Sequence, residues 1–110
     1  MQQSAQLHSK NTGLSDSHRR ILTEIIKKYL RDKSCTVYLF GSRAKGTHVR
    51  SSDIDIAVAS DEAIDRELSL IRAECEESNL PYTVDVVDLS KAGETMRRGA
   101  PEEGVVLWKS

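Results

Sequence analysis

The segment from Asp53 to Ala59, which reads Asp-Ile-Asp-Ile-Ala-Val-Ala, constrains the fold more than any other part of this chain. Its alternation predicts a β-strand, in which successive side chains point to opposite faces of a sheet. Asp53 and Asp55 then lie side by side on one face. The opposite face carries three apolar residues that anchor the strand in a core: Ile54, Ile56 and Val58.

These acidic residues indicate a site for a hard metal ion. Two carboxylates held this close repel each other unless a cation lies between them. Oxygen ligands alone suit Mg²⁺ or Mn²⁺. Asp85 lies within another apolar run, from Tyr82 to Asp88, which predicts a further strand. If the two strands are neighbours, Asp85 supplies a third carboxylate to the same point, whereas Asp88 has the opposite parity and is assigned to a turn or a helix cap.

The residues upstream of the acids indicate an anion-binding turn. The run from Cys35 to Phe40 predicts a buried strand that ends at Gly-Ser and turns into a short helix. Backbone N–H groups at such a turn are unpaired, so they favour an anion. Gly41 lets the backbone approach a ligand closely, Ser42 adds a hydroxyl donor, and Arg43 and Lys45 are candidates to neutralise phosphate. A triphosphate with two metal ions fits this pattern, for in-line displacement of pyrophosphate.

The remaining patterns predict helices around the sheet. Apolar residues at helical spacing indicate a helix from about Ser15 to Asp32–Ser34, and a second apolar stripe indicates a long helix capped by Ser60, with acids in its first turn. The apolar stripe of this long helix consists of Ile64, Leu68, Ile71 and Cys75. We expect another short helix over Leu89 to Arg98, weakened by Gly93. Gly104 to Trp108 is either a small strand or a segment packed across the core. The predicted fold class is therefore α/β (α+β), a small mixed β-sheet flanked by helices.

Length and charge exclude several classes of protein. A chain of 110 residues predicts one small domain, which we place at residues 15–110 after a flexible tail at 1–14. A net charge of −1 argues against a wide basic face for nucleic acid. Cys35 and Cys75 lack metal-binding spacing, so we expect buried thiols and a cytoplasmic protein. No apolar stretch approaches the roughly 20 residues that span a bilayer, and we expect no membrane partner.

At these motifs the sequence resembles the nucleotidyltransferase superfamily of DNA polymerase β. Gly41-Ser42 is followed, after a ten-residue gap, by Asp53-Ile-Asp55 and later by Asp85. The run GSRAKG…SSDIDIAV is similar to the smallest members, the minimal nucleotidyltransferases. The resemblance covers about half of the chain, and it implies Mg²⁺, with two ions, an NTP substrate and transfer of a nucleoside monophosphate. It also implies that the three aspartates bind metal, that Gly41 and Ser42 bind phosphate, and that Asp85 acts as the general base.

Minimal members of this superfamily often pair with a toxin that has a HEPN domain. The resemblance implies an antitoxin that transfers AMP from ATP to a tyrosine hydroxyl of such a toxin, in a hetero-oligomer with it. The choice of ATP depends on the family alone. Two alternatives stay open: a non-catalytic antitoxin that neutralises its partner by binding, and an enzyme subunit that adds nucleotides to RNA ends. The complete set of acids disfavours the first, and the near-neutral charge disfavours the second.

Overall fold

The computed structural model describes residues 13–47 and 52–110. Helices and strands alternate within these ranges, as the sequence predicts. In chain order they are α1 (Asp16–Leu30), β1 (Cys35–Phe40), α2 (Ser42–Lys45), β2 (Ile54–Ser60), α3 (Asp65–Glu77), β3 (Val84–Asp88), a 3₁₀ turn (Leu89–Lys91), α4 (Glu94–Glu103) and β4 (Val105–Lys109).

The strands of the described residues form one mixed sheet in the order β3-β2-β1-β4. β1 is antiparallel to both β2 and β4, whereas β2 is parallel to β3. A parallel pair needs a long crossover between its strands, and α3 supplies it. The predicted α/β class, with a small mixed sheet flanked by helices, is confirmed.

The two faces of the sheet are covered by different helices. Val37 and Leu39 of β1 are fully buried in a large apolar cluster with α1 and α3, while Tyr38 and Phe40 pack on the other face, against α4 and the 3₁₀ turn. β2 follows the same alternation. Its large apolar residues enter the α1–α3 cluster, and they are the predicted Ile54, Ile56 and Val58, all fully buried. The apolar face of β2 therefore fixes which way its acidic face points.

The start of α1 agrees with the sequence pattern, but the start of α3 does not. Ser15 caps α1, and its hydroxyl accepts a hydrogen bond from the backbone N–H of His18 at 3.0 Å. The prediction that Ser60 caps the next helix is wrong, because α3 begins at Asp65. Ser60 is instead the last residue of β2, where it pairs with Cys35, and its hydroxyl donates to the carbonyl of Ser34 at 2.8 Å.

The C-terminal third of the chain agrees with the expected order of elements and differs in detail. β3 begins at Val84, two residues later than predicted, and Asp88 caps the 3₁₀ turn by accepting from the backbone N–H of Ser90 at 2.9 Å. The cap predicted for Asp88 is thus confirmed. The helix expected over Leu89 to Arg98 is divided into the 3₁₀ turn, which ends at Lys91, and α4, for which Gly93 is the N-cap residue. The apolar run after Gly104 is a strand, not a segment packed across the core.

Three smaller expectations can also be compared with the structure. Cys35 and Cys75 are free and buried, as predicted. Most of the expected N-terminal tail, residues 1–12, lies outside the described residues, and Leu14 packs against the core. Within the described ranges, no helix combines the length and apolarity that a transmembrane span requires.

Two glycines of the α4–β4 region provide a matched test of packing. A Cβ at Gly104 would lie 2.4 Å from the carbonyl oxygen of Ala100 and 2.8 Å from that of Leu39, whereas a Cβ at Gly99 would meet nothing within 4 Å. We expect Gly104→Ala to lower the free energy of unfolding by about 1–3 kcal/mol, because backbone must move. Gly99→Ala should raise it by about 0.5–1 kcal/mol through helix propensity. Urea denaturation measures both, and equal effects would contradict this packing.

Candidate active site

The register of β2 against β3 places two of the three predicted acids next to each other. Asp55 pairs directly with Asp85 across these parallel strands, whose backbones are about 4.8 Å apart. Val86 packs in the α1–α3 cluster, so its neighbour Asp85 points to the opposite face. Ala57, two residues after Asp55, packs on that opposite face too. Asp53 precedes β2 by one residue and is exposed. The structure thus brings Asp55 and Asp85 together on one face, with Asp53 beside them in sequence.

The charges at this position oppose ionisation of Asp55. Its pKa is raised first by burial, then by the negative charges of Asp85 and of Asp53, and by a hydrogen bond with Asp85. Asp85 is exposed, so the pair is open to solvent on the side of β3. A carboxylate pair of this kind holds a proton or a cation more readily than an isolated aspartate does.

The donor set suits a divalent ion that is completed by its substrate. In residues 13–47 and 52–110, no group of three or more His, Cys, Asp or Glu side chains is arranged to enclose a metal ion. Mg²⁺ is usually held by one or two carboxylates, with water and substrate phosphates as its other ligands. Asp55 and Asp85 meet that requirement because they are adjacent, partly exposed and of like charge.

Gly41 connects the predicted anion-binding turn to the acids. It has φ 77° and ψ −154°, a backbone conformation that is essentially restricted to glycine, and it precedes α2. A Cβ on Gly41 would lie 2.6 Å from Oδ2 of Asp55. The carboxylate therefore lies directly against the backbone of the turn. Ser42, the first residue of α2, follows immediately, where the N–H groups of a helix have no partner inside that helix.

The two basic residues of α2 lie in different surroundings. Arg43 is 1% exposed, and its Nε and Nη2 donate to the carbonyl of Ser52 at 3.2 and 2.8 Å. Its guanidinium carbon lies 4.5 Å from the centre of the Tyr82 ring. This inward orientation does not fit the phosphate contact that we predicted for Arg43. Lys45 is exposed, as a phosphate ligand must be, with its Nζ 4.0 Å from Oε1 of Glu103.

Two cavities differ in their relation to the acids. One of about 190 Å³ lies between α2 and α4, next to Gly41 and Lys45, and its lining is mainly apolar. A larger groove of about 760 Å³ lies between α1 and α3, where Lys28 and Tyr29 both donate to Glu74. That groove is on the far face of the sheet from Asp55. The smaller cavity adjoins the acids through Gly41, because the carboxylate of Asp55 lies against the backbone of this glycine.

Sequence reasoning did not single out Tyr82 or Ser52. Tyr82 is the first residue of the run that predicts a strand, and Ser52 occurs only in the run that resembles the minimal nucleotidyltransferases. The aromatic residue next to Pro81 gives no local signal that it would pack on the buried Arg43, which is distant in the sequence.

Comparison with known proteins identifies the family to which the chain belongs. Residues 22–110 match the family described as Polymerase beta, Nucleotidyltransferase, and the chain belongs to it. A curated relative is the protein adenylyltransferase MntA of Shewanella oneidensis, which is 40% identical over 86 residues. These residues make up 76% of this chain and 62% of that relative, so the match spans less than two thirds of its length.

Solved structures of toxin–antitoxin complexes have a similar fold. One chain, from a toxin–antitoxin crystal structure with AMP-PNP, has a TM-score of 0.62 and 34% identity, over 80% of this chain and 73% of that chain. Another is from a complex of the tri-AMPylated Shewanella oneidensis HEPN toxin with its MNT antitoxin. It has a TM-score of 0.57 and 28% identity, over 84% of this chain and 73% of that chain.

Gly41 and Gly46 allow backbone strain to be separated from the clash with Asp55. Both have φ 77°, but a Cβ at Gly46 would meet nothing within 4 Å. We expect Gly46→Ala to lose about 1–2 kcal/mol of stability from its left-handed α conformation. Gly41→Ala should lose about 1–3 kcal/mol, because its φ and ψ lie in a region that is essentially restricted to glycine. Gly41→Ala should in addition weaken binding of Mg²⁺–ATP about tenfold or more, because Asp55 must move. Isothermal titration calorimetry measures the binding, and an equal loss in Gly46→Ala would contradict this assignment.

The raised pKa of Asp55 has a consequence for stability. The folded protein binds this proton more tightly than the unfolded chain does, so the associated stability is present at low pH and is lost as pH rises through the folded-state pKa. We therefore expect Asp55→Asn to raise the Tm of the metal-free protein at neutral pH and to have little effect under acidic conditions. Asp61→Asn, at an exposed position after β2, is the control. A lower Tm for Asp55→Asn than for the parent at neutral pH would contradict the inference that ionised Asp55 is repelled by Asp85 and Asp53.

Proposed function

We propose that this protein is a Mg²⁺-dependent nucleotidyltransferase that transfers AMP from ATP to a tyrosine hydroxyl of a partner toxin with a HEPN domain, and so acts as the antitoxin. The observation that carries the proposal is the pairing of Asp55 with Asp85 beside Gly41. The relatives support the nucleotide and the partner. One is named a protein adenylyltransferase, and the similar structures contain AMP-PNP in one case and an AMPylated HEPN toxin in the other.

The reaction is an in-line displacement at the α-phosphorus of ATP. The tyrosine oxygen forms a bond to this phosphorus while the bond to pyrophosphate breaks. Asp53, Asp55 and Asp85 would hold the metal, for which two ions are expected, and the bound metal would stabilise the charge that develops on the attacking and leaving oxygens. Asp85 accepts the proton of the hydroxyl. Its exposure on a strand at the edge of the described sheet supports this role, because a partner's tyrosine can approach it.

The triphosphate lies at the turn before α2. Gly41 allows phosphate oxygens to approach the backbone, and the Ser42 hydroxyl and N–H donate to them. Lys45 supplies the positive charge. Its ion pair with Glu103 is between exposed groups at 4.0 Å, a type that contributes little to stability and breaks readily. These groups would supply the triphosphate with hydrogen-bond donors and a positive charge, and the acceptor would come from the partner.

Substitution of the acids distinguishes catalysis from neutralisation by binding alone. We expect Asp53→Asn and Asp55→Asn each to reduce AMP transfer at least about 100-fold, because the metal loses a charged ligand. Intact-mass analysis of the toxin after incubation with Mg²⁺ and ATP measures the transfer, with Asp61→Asn as the control at an exposed aspartate.

The same variants test the alternative function. Transfer at the parental rate in either variant would contradict the assignment of the site. Full neutralisation of the toxin by a variant that no longer transfers AMP would support an antitoxin that acts by binding.

A further inference from the structure

Arg43 has surroundings that the proposed reaction does not explain. Its charged side chain is 1% exposed, and a buried guanidinium is costly unless its donors are paired and its faces are packed. Two of its nitrogens donate to the single carbonyl of Ser52, at 3.2 and 2.8 Å. A planar, forked donor group makes such a contact, whereas the ammonium of lysine does not reproduce it.

One face of the guanidinium packs on an aromatic ring. The Arg43 carbon Cζ lies 4.5 Å from the centre of Tyr82, within the range of a cation–π interaction. The same ring forms a T-shaped pair with His18 of α1, with 5.4 Å between the ring centres and an angle of 86° between the planes. The three side chains form a stack that runs from α2 to α1, and we call it the Arg43–Tyr82–His18 stack.

The stack connects the parts of the chain that carry the nucleotide site. Arg43 is two residues after Gly41, Ser52 directly precedes Asp53, and Tyr82 is three residues before Asp85. A backbone hydrogen bond of 2.9 Å from the N–H of Ile54 to the carbonyl of Thr83 ties the beginnings of the two acid-bearing strands together. Arg43 therefore links the anion-binding turn to both strand beginnings at once.

We propose that Arg43, stacked on Tyr82, is a positioning residue that sets the distance between the Gly41–Ser42 turn and the carboxylates of Asp53, Asp55 and Asp85. It acts through the carbonyl of Ser52 and the ring of Tyr82, and it touches no substrate. The inference depends on the proposed function, since it concerns the fit of a nucleotide and its metal ion to the same site.

The proposal predicts that charge alone does not replace Arg43. Arg43→Lys keeps the positive charge but loses the forked N–H donors and the planar face of the guanidinium. We therefore expect kcat to fall about 10–100-fold and the affinity for Mn²⁺ to fall about tenfold or more. The KM for ATP should change less than about threefold, because the triphosphate contacts remain. Tyr82→Phe keeps the ring and should behave as the parent, while Tyr82→Leu should reproduce the defect of Arg43→Lys.

The experiment measures three quantities on the full-length chain: AMP transfer to the toxin, Mn²⁺ binding with AMP-PNP by electron paramagnetic resonance, and Tm. If Arg43 and Tyr82 act as one unit, Arg43→Lys combined with Tyr82→Leu should be little worse than either single variant. Arg43→Met, an apolar replacement of similar length, serves as a second variant that is expected to fold. It should lose Mn²⁺ affinity while its Tm stays near that of the parent.

Two results would overturn the proposal. One is a raised KM for ATP at unchanged kcat in Arg43→Lys, with Tyr82→Leu at the parental level, since this identifies Arg43 as a phosphate ligand. The other is a loss of activity in all variants that follows Tm alone, with unchanged Mn²⁺ affinity. If the unsubstituted protein binds Mn²⁺ but transfers no AMP to the toxin, the proposed function is wrong. The Mn²⁺ affinities of the variants then still decide the role of Arg43. A parent that binds no Mn²⁺ overturns both.

Discussion

The repulsion between Asp55 and Asp85 is the interaction to which the rest of the site is adapted. Two ionised carboxylates do not favour their own adjacency, so the cause lies on the other face of the sheet. Ile54 and Ile56 are fully buried there, and a shift of β2 by one residue would bring Asp55 into the core and both isoleucines out of it. The apolar cluster with α1 and α3 therefore holds two like charges together, and a divalent cation between them would remove the remaining strain.

The spacing of the motif follows from the hairpin of β1 and β2. These strands are antiparallel, and Phe40 at the end of β1 pairs with Asp55 near the start of β2. The turn after Phe40 must therefore lie beside the acids, whatever the residues in between do. Gly41 is compatible with this closeness because it has no side chain where Oδ2 of Asp55 lies. One hairpin thus brings the Gly41 turn, for which we propose phosphate binding, and the carboxylate of Asp55, for which we propose metal binding, to a single end of the sheet.

Local patterns predicted those features that depend on alternation, and missed those that depend on distant contacts. The bounds of β1 and the face of Asp55 follow from strand parity and apolar runs, and they agree with the structure. The proximity of Asp85 to Asp55 depended in addition on β2 and β3 being neighbours, which parity does not decide and which the structure shows. The start of α3 does not, because Ser60 bonds to Ser34, 26 positions earlier, instead of capping a helix. α2 has four residues, too few for periodicity to show that Arg43 points inward. Its packing on Tyr82 is a tertiary contact without a local signature.

Locally unfavourable features concentrate at one end of the sheet. There, Gly41 adopts a backbone conformation that other residues avoid, and Arg43 is buried. Burial and the negative charges of Asp85 and Asp53 raise the pKa of Asp55 at the same end. Most other segments of the described chain follow local rules, and such concentrations of conflict are typical of functional sites. The groove between α1 and α3 is larger but shows no comparable conflict, since Glu74 there is paired with Lys28 and Tyr29. The energetic cost of these local conflicts, rather than cavity size, therefore supports the acid-bearing end of the sheet as the candidate active site.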